Sequence, residues 1–304
     1  HGPVGKLLHE LLLGICQNLI AQAGIRPRVF YRLTGKGCLA MKTGRLKVVI
    51  AGLALCVGPA WAAHASPTLD FGVSAWNAQA TGQGTSTQGN GQNSTVDLQN
   101  DLGMQREWTG GAHLIFRHDL PVIPDFLVET NHLINDGNTI LNRDITWQGT
   151  TYQANGPVQS QVDLKMARLL AFWNPLDNPL VNLRLGVEAR WLNLNIPVTG
   201  TVQGPTGPRK ESVSAGGNQW LPLGNVGLTL HLPADIDLGG EWSYVRYSGS
   251  YLSDYRVQAS YTFGSGIVLF AGWRHFHLNL DNSSFTVRGD LDFKGIYTGI
   301  GFAF

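Results

Sequence analysis

The last nine residues read Ile296-Tyr297-Thr298-Gly299-Ile300-Gly301-Phe302-Ala303-Phe304. Counting back from the aromatic end, every second position is Phe304, Phe302, Ile300, Thr298 and Ile296. Between them stand Ala303, Gly301, Gly299, Tyr297 and Gly295. Successive side chains of a strand point to opposite sides, so this two-residue period predicts a strand with one apolar face.

The same period runs through the second half of the chain. In Tyr255-Arg256-Val257-Gln258-Ala259-Ser260-Tyr261-Thr262-Phe263 the odd positions are apolar or aromatic and the even ones polar. Residues 181–191 repeat it, with Val181, Leu183, Leu185, Val187, Ala189 and Trp191 against Asn182, Arg184, Gly186, Glu188 and Arg190. Weaker versions cover 68–78, 109–118, 126–134, 161–173, 223–232, 236–247, 267–280 and 291–304, which brings the candidates to ten. Alternation alone also suits a soluble sandwich. The connections discriminate better, because they run long, short, long, short. The long ones are 79–108, 135–160, 195–222 and 281–290; the short ones are 119–125, 174–180, 232–235 and 264–266, three of them carrying proline. The link near Gly249 departs from this order by being short. Outer-membrane barrels have this arrangement, with short turns toward the periplasm and long polar loops outward.

Ahead of the strands lies a different object. Residues 1–65 carry eight Lys/Arg and one acidic residue, whereas residues 66–304 carry 14 Lys/Arg and 20 Asp/Glu, a net charge of −6. Within 41–65, Lys42, Arg45 and Lys47 precede ten uncharged apolar residues (48–57), Gly58-Pro59 breaks the run, and Ala63-His64-Ala65 is a small-x-small cleavage signal. Those parts in that order predict a helical signal peptide, cut after Ala65 or, as the alternative, after Ala62. The run is too short for a membrane helix, which needs ~20 apolar residues. Leu55 before Cys56 is too bulky for a lipidation site. Residues 1–40 then read as upstream translated sequence, and 66–304 as one domain. All three cysteines (Cys16, Cys38, Cys56) precede the cut, so the domain has neither a disulfide framework nor a thiolate site.

Taken together, the terminal aromatic strand, the leader and the loop order resemble the small outer-membrane β-barrel proteins of Gram-negative bacteria, over 66–304. More narrowly, the chain resembles an outer-membrane barrel family that occurs in genomes with GlyGly-CTERM sorting systems. The residues behind this are Pro121-Val122-Ile123-Pro124, Gly272-Trp273-Arg274 and Asp292-Phe293-Lys294-Gly295-Ile296-Tyr297-Thr298-Gly299. The resemblance implies an all-β fold, a closed antiparallel transmembrane β-barrel of about ten strands, with 8–12 the plausible range for a small one. It implies outer-membrane localisation and no particular activity. It also implies contact with outer-membrane lipid, periplasmic chaperones and the barrel-assembly machinery, the last through Ile296, Thr298, Ile300, Phe302 and Phe304.

Such a barrel predicts a lipid-facing set that includes Leu69, Phe71, Val73, Leu114, Phe116, Leu183, Leu185, Val187, Leu228, Leu230, Val257 and Ala259. Trp173, Trp191, Trp242, Tyr255, Tyr261 and Trp273 are candidates for the interfacial girdles. By parity the lumen would hold Asp70, His113, Arg117, Glu129, Asp163, Lys165, Arg184, Glu188, Arg190, Asp237, Glu241, Asp254, Arg256 and Arg274. Six cations against seven carboxylates predict a cross-linked interior rather than a wide, porin-like channel. Arg168 and Arg246 fall on the apolar parity, which calls for a bulge, a rim position or snorkelling.

The common catalytic signatures (a Gly-rich phosphate loop, HExxH, GxSxG, paired CxxC) do not occur. No catalytic residue, cofactor or metal is therefore assigned. His275 and His277 share a strand face and could share a metal, although histidines more often serve interfaces. Asp254, His275 and Asp281 near an outer rim would suit a rim protease; solvated charges are the simpler reading. The acidic balance is opposite to a nucleic-acid footprint. Three classes of function remain: a structural or narrow transport barrel, an outer-membrane enzyme acting on lipid or peptide, and a surface-loop adhesin. The first is favoured. The terminal strand yields a test. Phe304→Ala should slow membrane insertion, read as the yield of barrel whose gel mobility shifts on boiling; normal yield would remove the strand from that role.

Overall fold

The computed structural model describes residues 67–87, 94–118, 120, 122–247, 249–281 and 284–303. The leader at 41–65, the stretch before it and Phe304 lie outside the described residues. In chain order the strands are β1 (Thr68–Ser86), β2 (Thr95–Asp97), β3 (Arg106–Arg117), β4 (Asp125–Ile140), β5 (Ile145–Trp147), β6 (Thr150–Tyr152), β7 (Pro157–Asp177), β8 (Val181–Gly204), β9 (Gly207–Leu232), β10 (Ile236–Tyr247), β11 (Ser250–Thr262), β12 (Ile267–Leu280) and β13 (Val287–Ala303). Ten of them, all but β2, β5 and β6, pair antiparallel with their chain neighbours and close into a ring through β1 and β13. The seam runs from Asp70↔Ala303 to Ser86↔Val287. Gly295 lies on it because a Cβ there would stand 1.8 Å from the Asn77 carbonyl oxygen. Each of the ten predicted segments falls on one ring strand.

The strands are longer than a bilayer requires. A tilted strand crosses in ~9–11 residues, yet β8 and β9 have 24 and 26 residues. The surplus lies at the end away from the short turns, and there the hydropathy pattern inverts. On β8 the outward side chains are Leu183, Leu185, Val187, Ala189 and Trp191, followed by Asn193, Asn195 and Thr199. The inward ones change from Arg184, Glu188 and Arg190 to the buried Leu192, Leu194, Ile196 and Val198. Outward residues change from Trp273 to His275 on β12, from Ile296 to Lys294 on β13, and from Ala167 to Lys165 on β7. These positions are cross-strand partners: Ala167↔Trp191, Lys165↔Asn193, Trp273↔Ile296, His275↔Lys294. The inversion is thus a line around the barrel. On one side apolar groups face out, as lipid demands; on the other they face in, as water demands. Every residue of the predicted lipid-facing set and girdles points outward. Trp108 and Trp220, 58% and 63% exposed, join the aromatic band at this line.

The part beyond the line is a collar with its own dry core. Leu133, Leu164, Leu194, Ile196, Leu278, Leu291 and Phe293 meet Leu98, Leu102, Met104, Ile145, Trp147 and Tyr152, which arrive from the segments between β1 and β3 and between β4 and β7. Several polar atoms entering it are paired. Tyr152 donates to the Val198 carbonyl at 2.8 Å, and the Asn135 amide donates to the carbonyls of Ala78 and Gln105, each at 2.9 Å. Burial, helped by the Glu211 charge, pushes the Tyr152 phenol up to about 12.

Two expectations change here. The segment 195–222 is not a loop: β8 and β9 stay paired to Gly204↔Gly207, turning through Pro205-Thr206 with Gly207 at φ +117°. Much of 79–108, 135–160 and 281–290 is likewise strand. Polar outward residues gave these stretches a loop-like composition, while their apolar partners were being buried in the collar.

The inversion is testable on one strand face. Leu185→Arg should destabilise the barrel in lipid by about 2–4 kcal/mol, the cost of a cation near the bilayer midplane. Asn193→Arg, eight residues further along the same face, should stay within about 0.5 kcal/mol. Denaturant unfolding in lipid vesicles compares them, and equal penalties would put both residues in one medium.

Candidate functional site

Inside the ring, at the level just below the inversion line, six strands send charged side chains to the centre. Arg168 of β7 donates through Nε to Glu188 at 2.8 Å and through Nη1 to Glu129 at 3.1 Å, and its Nη2 meets Glu241. Arg190 of β8 donates to Glu188 at 2.5 Å and to Asp254 at 2.7 Å. Arg274 of β12 grips both oxygens of Asp254, at 2.9 and 2.8 Å, a two-pronged geometry that a guanidinium fits and an ammonium does not. Arg256 of β11 binds both oxygens of Glu129 at 3.2 and 2.7 Å. Four guanidiniums and four carboxylates therefore balance, and the links cross the lumen from β4 to β11 and from β7 to β10.

Neutral groups complete the acceptors. Asn225 donates to Glu241 and to the Ser243 hydroxyl, which itself donates to Glu188. Asn131 donates to Glu129. Toward the collar, Arg274 stands 4.8 Å from the ring centre of Trp76, which is 2% exposed, and Arg190 faces Phe276. Charge layer and apolar plug are thus continuous.

Toward the short turns the lumen opens into a cavity of about 520 Å³. Its floor includes Glu129, Glu241, Arg256 and Arg274, and its wall Asp70, His113, Arg117, Arg184 and Asp237. Arg117 pairs with Asp70, and His231 with Asp237 at 2.7 Å. Among the described residues Arg184 keeps only a distant carboxylate, Glu241 at 3.9 Å, and it lies 4.5 Å over Phe172.

Of the side chains expected in the lumen, twelve therefore line the cavity or the charge layer. Asp163 and Lys165 do not. Odd positions of β7 face outward as far as Trp173, where a bulge shifts the register, and these two lie on the collar exterior, where Asp163 pairs with His132 at 2.8 Å and Lys165 approaches Asp163 at 3.7 Å. Conversely, Arg168 needs neither bulge nor snorkelling: it faces inward and is the hub of the network. Arg246 is exposed beyond Trp242 and Tyr244, a rim position. A rim protease of Asp254, His275 and Asp281 is not assembled, since Asp254 is buried in the lumen and His275 points to the outer face. Asn225, Ser243 and Trp76 were not anticipated, because uncharged polar and aromatic residues carry no lumen signal. Outside the ring, His275, His277 and Asp292 are the one group among the described residues whose donor atoms could converge on a metal.

No protein-family model and no curated protein sequence matches the chain. Among solved structures it is similar to the outer-membrane protease OmpT from Escherichia coli, with a TM-score of 0.55 at 12% identity over 78% of this chain and 97% of that one. It is also similar to the toluene transporter TodX of P. putida (TM-score 0.35, 8% identity, 79% and 90% covered). A third is Ail, the attachment invasion locus protein of Yersinia pestis (TM-score 0.28, 7% identity, 77% and 98% covered). At such identities the likeness is one of fold, and the first alone is close enough to carry it. The chain has the fold of Gram-negative outer-membrane β-barrels.

Removing one partner from a buried ion pair strands the other charge. Arg168→Met should cost about 3–5 kcal/mol. Adding Glu188→Gln should recover part of that, so that a double-mutant cycle in denaturant gives a coupling of about 0.5–3 kcal/mol. Additive penalties would mean that the two groups do not interact.

Proposed function

We propose that the chain is an integral outer-membrane β-barrel protein with a structural, non-conducting role, delivered to that membrane by its leader and assembled there with chaperones and the barrel-assembly machinery. The observation that carries this reading is the double closure of the lumen. A cross-linked charge layer spans it, and the collar core above is filled by Leu98, Leu102, Met104, Ile145 and Trp147. An ion crossing would have to displace both. The narrow-transport variant of the same reading has the cavity at the short-turn end in its favour, but that cavity ends at Glu129 and Arg274.

Surface attachment is a second reading, favoured by the collar itself. It holds the β8–β9 hairpin out as paired strand as far as Gly204↔Gly207, a pre-ordered surface for a partner. Catalysis on lipid or peptide draws less support, since the four arginines and four carboxylates of the charge layer are already engaged with one another. Membership of the barrel family associated with GlyGly-CTERM genomes belongs to this proposal too, and rests on the three quoted motifs.

Planar-bilayer recording on the purified barrel tests the main reading. The intact protein should give no stable conductance steps. A variant in which residues 142–154 are replaced by a short Gly-Ser link and Arg168 by Ala should give them. Stable steps from the unaltered protein would overturn the non-conducting role.

A further inference from the structure

We propose that His275, His277 and Asp292 form a site for a divalent transition metal, zinc by preference, on the outer wall of the barrel just beyond the aromatic band. His275 and His277 are successive outward residues of β12. Asp292 is the cross-strand partner of His277 on β13, so the sheet register itself brings the three together. His275 Nε2 lies 2.6 Å and His277 Nδ1 2.8 Å from the same oxygen, Asp292 Oδ1. One donor atom from each residue falls within 4.8 Å of the others. Two imidazoles and a carboxylate are a donor set that zinc accepts, with bonds of about 2.0–2.2 Å, which puts tetrahedral donors about 3.3 Å apart. To admit the ion on that geometry each ring nitrogen moves roughly 0.5–0.7 Å away from Asp292 Oδ1, and the two imidazoles are 27% and 20% exposed.

The surroundings hold these side chains as a metal site would. Metal-binding histidines usually give their second nitrogen to a carboxylate, which fixes the tautomer. Here His277 Nε2 faces Asp290 Oδ1 at 3.3 Å without a hydrogen-bond partner of good geometry, and Asn279 anchors that carboxylate at 2.7 Å. Tyr251 stacks on His277 with 4.9 Å between ring centres and a 5° tilt. Tyr255 meets His275 edge-on at 5.3 Å. Both rotamers are therefore set before any ion arrives. Lys294, beside His275, contributes one positive charge against the two carboxylates.

A hydrogen-bonded His-Asp-His cluster with no ion is the competing account, and binding separates them. The full chain, made without a histidine tag, folded in detergent and stripped with chelator, would be titrated with zinc chloride by calorimetry. One equivalent should bind, and zinc-edge absorption spectroscopy should find two imidazoles and oxygen around it. Asp290→Asn should weaken binding by about tenfold while leaving the stoichiometry at one. His275→Ala and Asp292→Ala should abolish it, with boiled against unboiled gels reporting that the barrel remains closed. If Asp292→Ala fails to close, protection of His275 and His277 from diethyl pyrocarbonate by zinc in the unaltered chain serves in its place. Failure of the unaltered chain to bind, binding unchanged in His275→Ala, or unprotected histidines would each overturn the site.

Discussion

Lipid offers the backbone no hydrogen-bond partner, so a strand placed in it must find both neighbours in the protein. That constraint is met at the seam between β1 and β13, which turns an open ten-stranded sheet into a ring. Everything else depends on this closure. Once the ring exists it has two faces and two media, and each residue's place is decided by which face it occupies and at what height. Gly295 matters for the same reason, since a side chain there would push the seam apart.

Height turns out to be as informative as face. Over the bilayer segment the barrel is inside out, with charges within and Leu, Val and Trp without. Beyond the aromatic band it reverts to the order of a soluble protein. The reversal happens at cross-strand partners on neighbouring strands, so it traces one physical boundary rather than ten local accidents. This boundary explains why Asp163 and Lys165 were misplaced. Reading 161–173 as one half-lipid, half-lumen strand assigns their polarity to the lumen, whereas they belong to the watered outside of the collar. The same assumption made Arg168 look displaced, although even positions of β7 face inward from Val158 to Phe172. Along a single strand nothing marks the height at which the medium changes; the neighbours' register does.

The charge layer is a costly object in a low-dielectric interior, and its geometry shows how the cost is offset. Each arginine meets at least two carboxylates and each carboxylate at least two donors, counting Asn225, Asn131 and Ser243. A network of this kind contributes little as isolated pairs, but it ties non-adjacent strands together across the lumen and penalises any slip in register. The apolar plug above it performs the complementary task of excluding water from that end. Both features favour a rigid wall over a passage, and the outer surface, where His275, His277 and Asp292 meet, is left as the place for chemistry with the surroundings.

How much of this was legible beforehand follows from distance along the chain. A two-residue period, a terminal Phe and alternating turn lengths are local, so the all-β class, the ten crossing strands, the lipid-facing set and most of the lumen charges could be read directly from the residues. The candidate metal site was half legible: His275 and His277 lie two apart, but Asp292 is fifteen residues beyond His277, and only pairing between β12 and β13 makes it their neighbour. The plug was hidden in the same way, because Leu98, Trp147 and Ile196 come from segments whose composition reads as loop. Sequence by itself determined that these strands must close around themselves, since their apolar faces and backbone groups have no other partner in lipid. What fills the ring, which charges meet across it and where water takes over from lipid were decided by the tertiary structure, because each depends on side chains brought together by register and closure rather than by proximity in the chain.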